Sequence, residues 1–233
     1  MCDFDKAQAL LPHERMKPVK MTKGRSLVVF SSYEYKNVLG VAPYNEIAMT
    51  IPIMVDPKLN VPILPMITNG FKNFGYYVFS MPVTSLENQI RGRKIWGLPK
   101  VVEEIDIFEQ QGSVVTIAKD SSGEPYFELR VPISGKKAAF DVSSNIYSEL
   151  DKKLLRSETD FKGTFNVNKN LKTLFKKNQQ TDQKYLKIGE GPSAQVLKEL
   201  EIEETPFQNR FAKHVTSSFD LPNPNFNSSI RFE

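Results

Sequence analysis

Cysteine is almost missing from this chain of 233 residues, whose one thiol is at position 2. No disulfide can therefore form within the chain, and no cage of thiolates can hold a metal. Such usage fits a reducing compartment. Histidine is nearly as scarce, and His13 and His214 have no second ligand at metal spacing, which argues against a metal centre. Every apolar run is broken well before the ~18 residues that a membrane-spanning helix needs. The opening MCDFDKAQALLPHERMKPVK carries acids early and lacks the apolar stretch of a signal peptide. The expectation is a soluble, cytoplasmic protein without membrane association. Charge of one sign is lacking too: 31 Lys and Arg against 27 Asp and Glu leave a net +4, too little to imply a nucleic-acid partner.

What is present is ordinary globular composition, 40% hydrophobic and 25% charged, enough to bury a core without staples. One domain over residues 1–233 is expected, with about 1–10 and 223–233 as loosely ordered tails. Short apolar segments alternate with Gly, Pro, Asn and Asp, the pattern of a strand-rich fold. Strands are expected at Ser26–Ser32, Glu46–Val55 and Gly75–Val83, with Pro52 pointing to an edge or a bulge. A meander should come next through Val102–Phe108, Ser113–Ala118 and Tyr126–Val131, where Phe127, Leu129 and Val131 alternate with Glu128 and Arg130. Helical signals are fewer. The capping-box spacing of Thr84 and Glu87 starts a brief helix towards Arg91, Gln195–Ile202 forms a second, and Asn145–Leu155 is a candidate third. The expected fold class is α+β and β-rich, with curved antiparallel sheets forming a barrel-like cavity and a few peripheral helices.

Chemistry concentrates in Gly92-Arg-Lys-Ile-Trp-Gly-Leu-Pro-Lys100, which lies between the short helix and a strand. Pro99 fixes its own φ and biases Leu98 towards extended geometry, so Lys100 leaves a stiffened turn. Ile95, Trp96, Leu98, Val101 and Val102 around it are apolar. An ordinary lysine amine titrates near about 10.4 and is not nucleophilic while charged; burial favours the neutral amine. Arg93 and Lys94 would add repulsion if they face the same hollow.

The run GRKIWGLPK resembles the Gly-Arg-Glu-x-x-x-x-Pro-Lys signature of the acetoacetate decarboxylase superfamily, in which the lysine after proline forms a Schiff base. Tyr44-Asn-Glu-Ile-Ala-Met-Thr-Ile-Pro-Ile53 is similar to that family's Tyr-x-Glu-x-x-x-x-Ile-Pro-Val segment, and Glu46 matches its active-site glutamate. Gly191-Pro192 and the stretch HVTSSFDLP at 214–222 extend the likeness over about Leu11 to Pro222. The resemblance implies a cone-shaped barrel, a homo-oligomer and a keto-acid substrate, with Lys100 and Glu46 catalytic and no cofactor. Met81, Arg93, Trp96 and Leu98 are candidates for the pocket wall. Three positions depart from the archetype: Val101 stands where it has a second lysine, Lys94 replaces the acid of Gly-Arg-Glu, and Ser31 falls near a second acid. These departures bear on the fate of the iminium once it has formed.

The expected activity is a lyase reaction on a β-keto acid such as acetoacetate through a lysine iminium. Aldolase or dehydratase chemistry through the same lysine is one alternative, and a non-catalytic barrel binding a small molecule is another. The lysine-rich stretch 161–187 is read as a solvated surface rather than an RNA site. Its aromatics are only Phe161, Phe165, Phe175 and Tyr185.

Overall fold

The structure, a computed structural model, describes residues 1–68, 71 and 73–226. Strand β1 (Cys2–Asp3) leads into helix α1 (Phe4–Leu10), which Asp3 caps by accepting from the backbone N–H groups of Asp5 and Lys6. Strands β2 (Met16–Pro18), β3 (Arg25–Ser26), β4 (Val29–Tyr35) and the long β5 (Tyr44–Val55) come next. A short helix α2 (Leu64–Ile67), strand β6 (Phe74–Val83), helix α3 (Leu86–Trp96) and strand β7 (Lys100–Val102) carry the chain into a meander of β8 (Glu104–Gln110), β9 (Ser113–Lys119) and β10 (Pro125–Pro132). The order ends with a long hairpin of β11 (Lys136–Leu150) and β12 (Lys153–Lys169), then β13 (Leu186–Ile188), α4 (Pro192–Glu199), β14 (Gln208–Phe211) and β15 (Val215–Phe219).

The fold is α+β and strand-rich, a curved, partly closed half-barrel with peripheral helices. Its main sheet runs β14-β12-β11-β6-β5-β2, with β4 also on β5, β7 on β6 and β15 on β12. A second sheet, β13-β10-β9-β8, holds the meander. The main sheet is mixed rather than purely antiparallel, because β6 pairs in parallel with both β7 and β11. The parallel partner β7 is reached through α3, the crossover that a parallel pair requires. Curvature brings the ends of the sheet together: Tyr33 of β4 stacks on Phe161 of β12 with ring centroids 5.9 Å apart.

Strand β5 sorts the molecule into two sides. Ile47, Met49, Ile51 and Ile53 are fully buried. They join Ala118, Phe127 and Leu197 in one cluster and Ala7, Leu11 and Leu154 in another, so the second sheet, α4 and α1 all pack on this face. Each such side chain contributes about 1.5–3 kcal/mol by burial. The alternate residues Tyr44, Glu46, Ala48 and Thr50 therefore face the concave side. No helix among the described residues is long and apolar enough to cross a membrane.

Several sequence expectations are corrected. Residues 1–10 are not a loose tail, since Cys2 and Asp3 pair with Ser26 and Arg25, and Cys2 and Ala7 are buried. Residues 223–226 are also held: the Asn223 N–H donates to the Arg156 carbonyl and Phe226 lies under the Arg156 guanidinium. The remainder of that expected tail, 227–233, is outside the described residues. Asn145–Leu155 is strand, not helix; Asp151 and Lys152 both have positive φ, 50° and 59°, the two-residue hairpin geometry that matches strand twist. Pro52 lies inside a central strand. Its carbonyl accepts from Val19, and an N–H at the same residue would point the same way, towards the gap where β5 changes partner from β4 to β2, so no rung is lost. The α3 cap is Ser85, which accepts from the Asn88 N–H, while the Thr84 hydroxyl accepts from the Asn45 N–H and ties the helix to β5.

Candidate active site

Helix α3 outlasts its expected end at Arg91 and closes at Gly97, whose φ of 61° is the left-handed conformation that glycine adopts freely. A β-carbon there would also strike the Glu149 carbonyl. The Leu98 N–H returns to the Gly92 carbonyl and the Lys100 N–H to the Leu98 carbonyl, so the chain folds tightly around Pro99. Gln89 on α3 donates its side-chain amide to the Lys100 carbonyl at 3.2 Å. Lys100 then enters β7 opposite Met81 of β6, on the concave face.

There the Lys100 amine donates to Glu46 Oε2 at 2.5 Å. The two side chains are only 7% and 6% exposed, so the pair is withdrawn from water. Burial pushes the Glu46 carboxyl above its ordinary range, and the Lys100 charge opposes that rise. A carboxylate in this state takes a proton more readily than one in water. Across one short hydrogen bond, such an arrangement allows a proton to move between amine and carboxyl.

The amine has a second acceptor in Asn88 Oδ1, projected from the first turn of α3. The same Asn88 amide donates to the Tyr44 hydroxyl oxygen, and Tyr44 stacks on Tyr35 at 4.8 Å. The Lys100 amine lies 5.9 Å from the Tyr44 ring centre. Cross-strand register places Tyr33 opposite Glu46 and Tyr35 opposite Tyr44, so three tyrosines share the face of the ion pair. Burial is the main cause that raises all three hydroxyls, with the Glu46 charge adding to it; Tyr33 is pushed up to about 12. They remain neutral O–H groups at physiological pH, able to donate hydrogen bonds without adding charge.

Of the residues expected from sequence, Lys100 and Glu46 are brought together. Met81 and Leu98 are buried beside them in a cluster with Val78 and Val83. Trp96 packs on that cluster but is committed elsewhere: its Nε1–H donates to the Asp220 carbonyl at 2.8 Å and its ring stacks on Phe219. Arg93 is exposed on α3 and does not line the buried pair, because the helix turns Gly92 towards Lys100 and the next residue about 100° away. Asn88, Tyr33, Tyr35 and Tyr44 were not singled out. Of these, only Tyr44 carries a sequence signal, as the first residue of the segment similar to Tyr-x-Glu. Among the described residues no group of three or more His, Cys, Asp or Glu side chains is placed to hold a metal ion.

Solved structures share this fold. An acetoacetate decarboxylase aligns with a TM-score of 0.59 and 14% identity over 95% of this chain and 81% of its own. The acetoacetate decarboxylase of Legionella pneumophila gives 0.58 and 15%, over 95% and 79%. The enduracididine biosynthesis enzyme MppR, complexed with pyruvate, gives 0.57 and 11%, over 95% and 82%. None of the curated proteins compared with the chain matches it. The sequence model of the acetoacetate decarboxylase (ADC) family, in contrast, matches residues 1–180. With well over half of its length matched in this way, the chain belongs to the acetoacetate decarboxylase family.

Proposed function

We propose that this chain, read as one domain over residues 1–233, is a Schiff-base enzyme that acts on a keto acid, with Lys100 as nucleophile and Glu46 as its proton partner. The observation that carries the reading is the buried 2.5 Å contact between Lys100 Nζ and Glu46 Oε2.

Within the pair, Glu46 takes one proton from the ammonium and leaves a lone pair on nitrogen. That amine adds to the ketone carbon, and the proton held on Glu46 is returned to the carbinolamine hydroxyl, which departs as water. An iminium cation now faces the Glu46 carboxylate in place of the ammonium. If a carboxylate is β to the nitrogen, its C–C bond breaks, CO2 leaves and the electron pair becomes an enamine. The enamine carbon takes up a proton supplied by solvent, and water hydrolyses the iminium to free the product and Lys100. Asn88 fixes the direction of the amine throughout by accepting from it. A hydroxyl pair, Ser31 bonded to Tyr33, occupies the position near which the family archetype has a second acid.

Val101 favours a second reading. It is half exposed and flanks Lys100 without charge, where the archetype has a second cation. Aldol or dehydration chemistry through the same iminium needs no such neighbour.

Release of CO2 from acetoacetate and other β-keto acids separates these outcomes. Decarboxylation lost in Lys100→Ala and strongly reduced in Glu46→Gln supports the first reading. CO2 release in Lys100→Ala equal to that of the unaltered protein overturns it.

A further inference from the structure

The concave face of the half-barrel carries a second cation that the proposed chemistry does not use. Arg210 is on β14, opposite Val167 of β12. Val167 shares one face of β12 with Phe165, Gly163 and Phe161, and Phe161 is the residue that stacks on Tyr33. Strand parity therefore places Arg210 on the same concave face as Glu46 and Lys100. Its guanidinium lies over the Phe140 ring, 4.9 Å from the centroid, and Phe140 in turn packs edge-on against Phe165. A flat cation seated on a ring keeps its N–H edge free for a planar anion.

Electrostatic reach ties Arg210 to the rest of the site. Its charge acts on the hydroxyls of both Tyr33 and Tyr76, and Glu46 acts on the same Tyr33 hydroxyl. Glu46 is already matched by Lys100. Arg210 is exposed and, among the described residues, has no carboxylate partner. Of the charges acting on this tyrosine wall, it is the one left for a ligand.

Resting on the reading of Lys100 as the nucleophile, we propose that Arg210 anchors a carboxylate that stays with the product, so that the substrate is a keto acid with an anionic group besides any that is lost as CO2. A carboxylate that departs must give its electrons to the iminium, and a guanidinium clamped on it would hold that charge in the ground state. A retained carboxylate suffers no such conflict, and a bidentate grip on it orients the ketone towards the amine. If the reaction is decarboxylation, the preferred substrate is a β-keto diacid.

Borohydride trapping tests this with two probes of matched shape, levulinate and its neutral methyl ester, with modification of Lys100 read by mass spectrometry. In Arg210→Ala the half-saturating levulinate concentration should rise roughly tenfold to a hundredfold, the worth of one charge-assisted grip. The methyl ester should be unaffected, and Arg210→Lys should recover part of the loss. Parallel shifts for both probes, or none for either, would overturn the assignment. Should neither probe modify Lys100 in the unaltered protein, the Schiff-base reading fails by itself. Calorimetric binding of glutarate then decides the role of Arg210: weaker binding to Arg210→Ala sustains it and equal binding refutes it.

Discussion

Gly92 of α3 and Lys100 of β7 approach so closely that a β-carbon on the glycine would meet Lys100 Cδ at 2.5 Å and Cε at 2.7 Å. The helix thus offers a notch through which the lysine stem passes to reach Glu46. Two opposed effects act on Gly92→Ala. Helix propensity favours alanine by ~1 kcal/mol, whereas overpacking a buried stem held by two acceptors costs about 1–3 kcal/mol. Stability should drop by no more than ~2 kcal/mol, while borohydride trapping on Lys100 slows by at least about tenfold, because a small misplacement of a reacting group is costly. Trapping at the original rate in the variant would show that the notch does not position the amine.

Removing the lysine should change how stability depends on pH. Burial raises the Glu46 carboxyl and Lys100 pulls it down, so Lys100→Met lets it rise further. A carboxyl whose folded pKa exceeds its unfolded value stabilises the fold fully below the unfolded value and loses that contribution as pH climbs through the folded one. Thermal melts from the ordinary glutamate value of 4.5 up to neutrality should therefore show Lys100→Met falling ever further below the unaltered protein. At pH 7 the gap should be about 3 kcal/mol, the low end for a broken buried pair because the orphaned carboxyl can take up a proton. Parallel pH curves would contradict this.

Asn88→Asp would give the Lys100 amine a second carboxylate in place of a neutral acceptor. An added negative charge at contact distance favours the ammonium. Trapping at pH 7 should fall about tenfold or more, and its pH profile should move to the alkaline side. An unshifted profile would mean that Asn88 does not act on the amine.

Trp96 is the one tryptophan of the chain, and its N–H ties α3 to the Asp220 carbonyl beyond β15. Trp96→Phe keeps a ring against Phe219 and loses the hydrogen bond. A loss of ~1 kcal/mol is expected, read as about 2–4 °C in a chain of this size. Limited proteolysis near 215–226 should become faster. Unchanged melting and digestion would show the tie to be dispensable.

Much of this arrangement was legible in the residues. The alternation through Glu46–Val55 separates Ile47, Met49, Ile51 and Ile53 from Ala48, Thr50 and Met54, and the structure puts the first set on the core and Ala48 and Thr50 on the face of the ion pair. The meander was readable because its turns carry the usual Gly and Asp. The β11–β12 hairpin was not, since its turn is Asp151-Lys152, two residues that seldom announce positive φ. Asn88 escaped notice because its chemistry depends on where α3 lands relative to β7. Arg210 escaped for the same reason: only the curl of the sheet, joining Tyr33 to Phe161, sets its charge within reach of the Tyr33 hydroxyl. Pairings between residues more than a hundred positions apart leave no local trace.

The proposed chemistry depends on one nitrogen, that of Lys100, and reductive trapping reports on it. The protein is incubated with a keto acid and borohydride, digested, and the modified peptide identified by mass spectrometry. A single adduct on Lys100, absent in Lys100→Ala, is expected. An adduct on another lysine, or none with any keto acid in the folded protein, would contradict it.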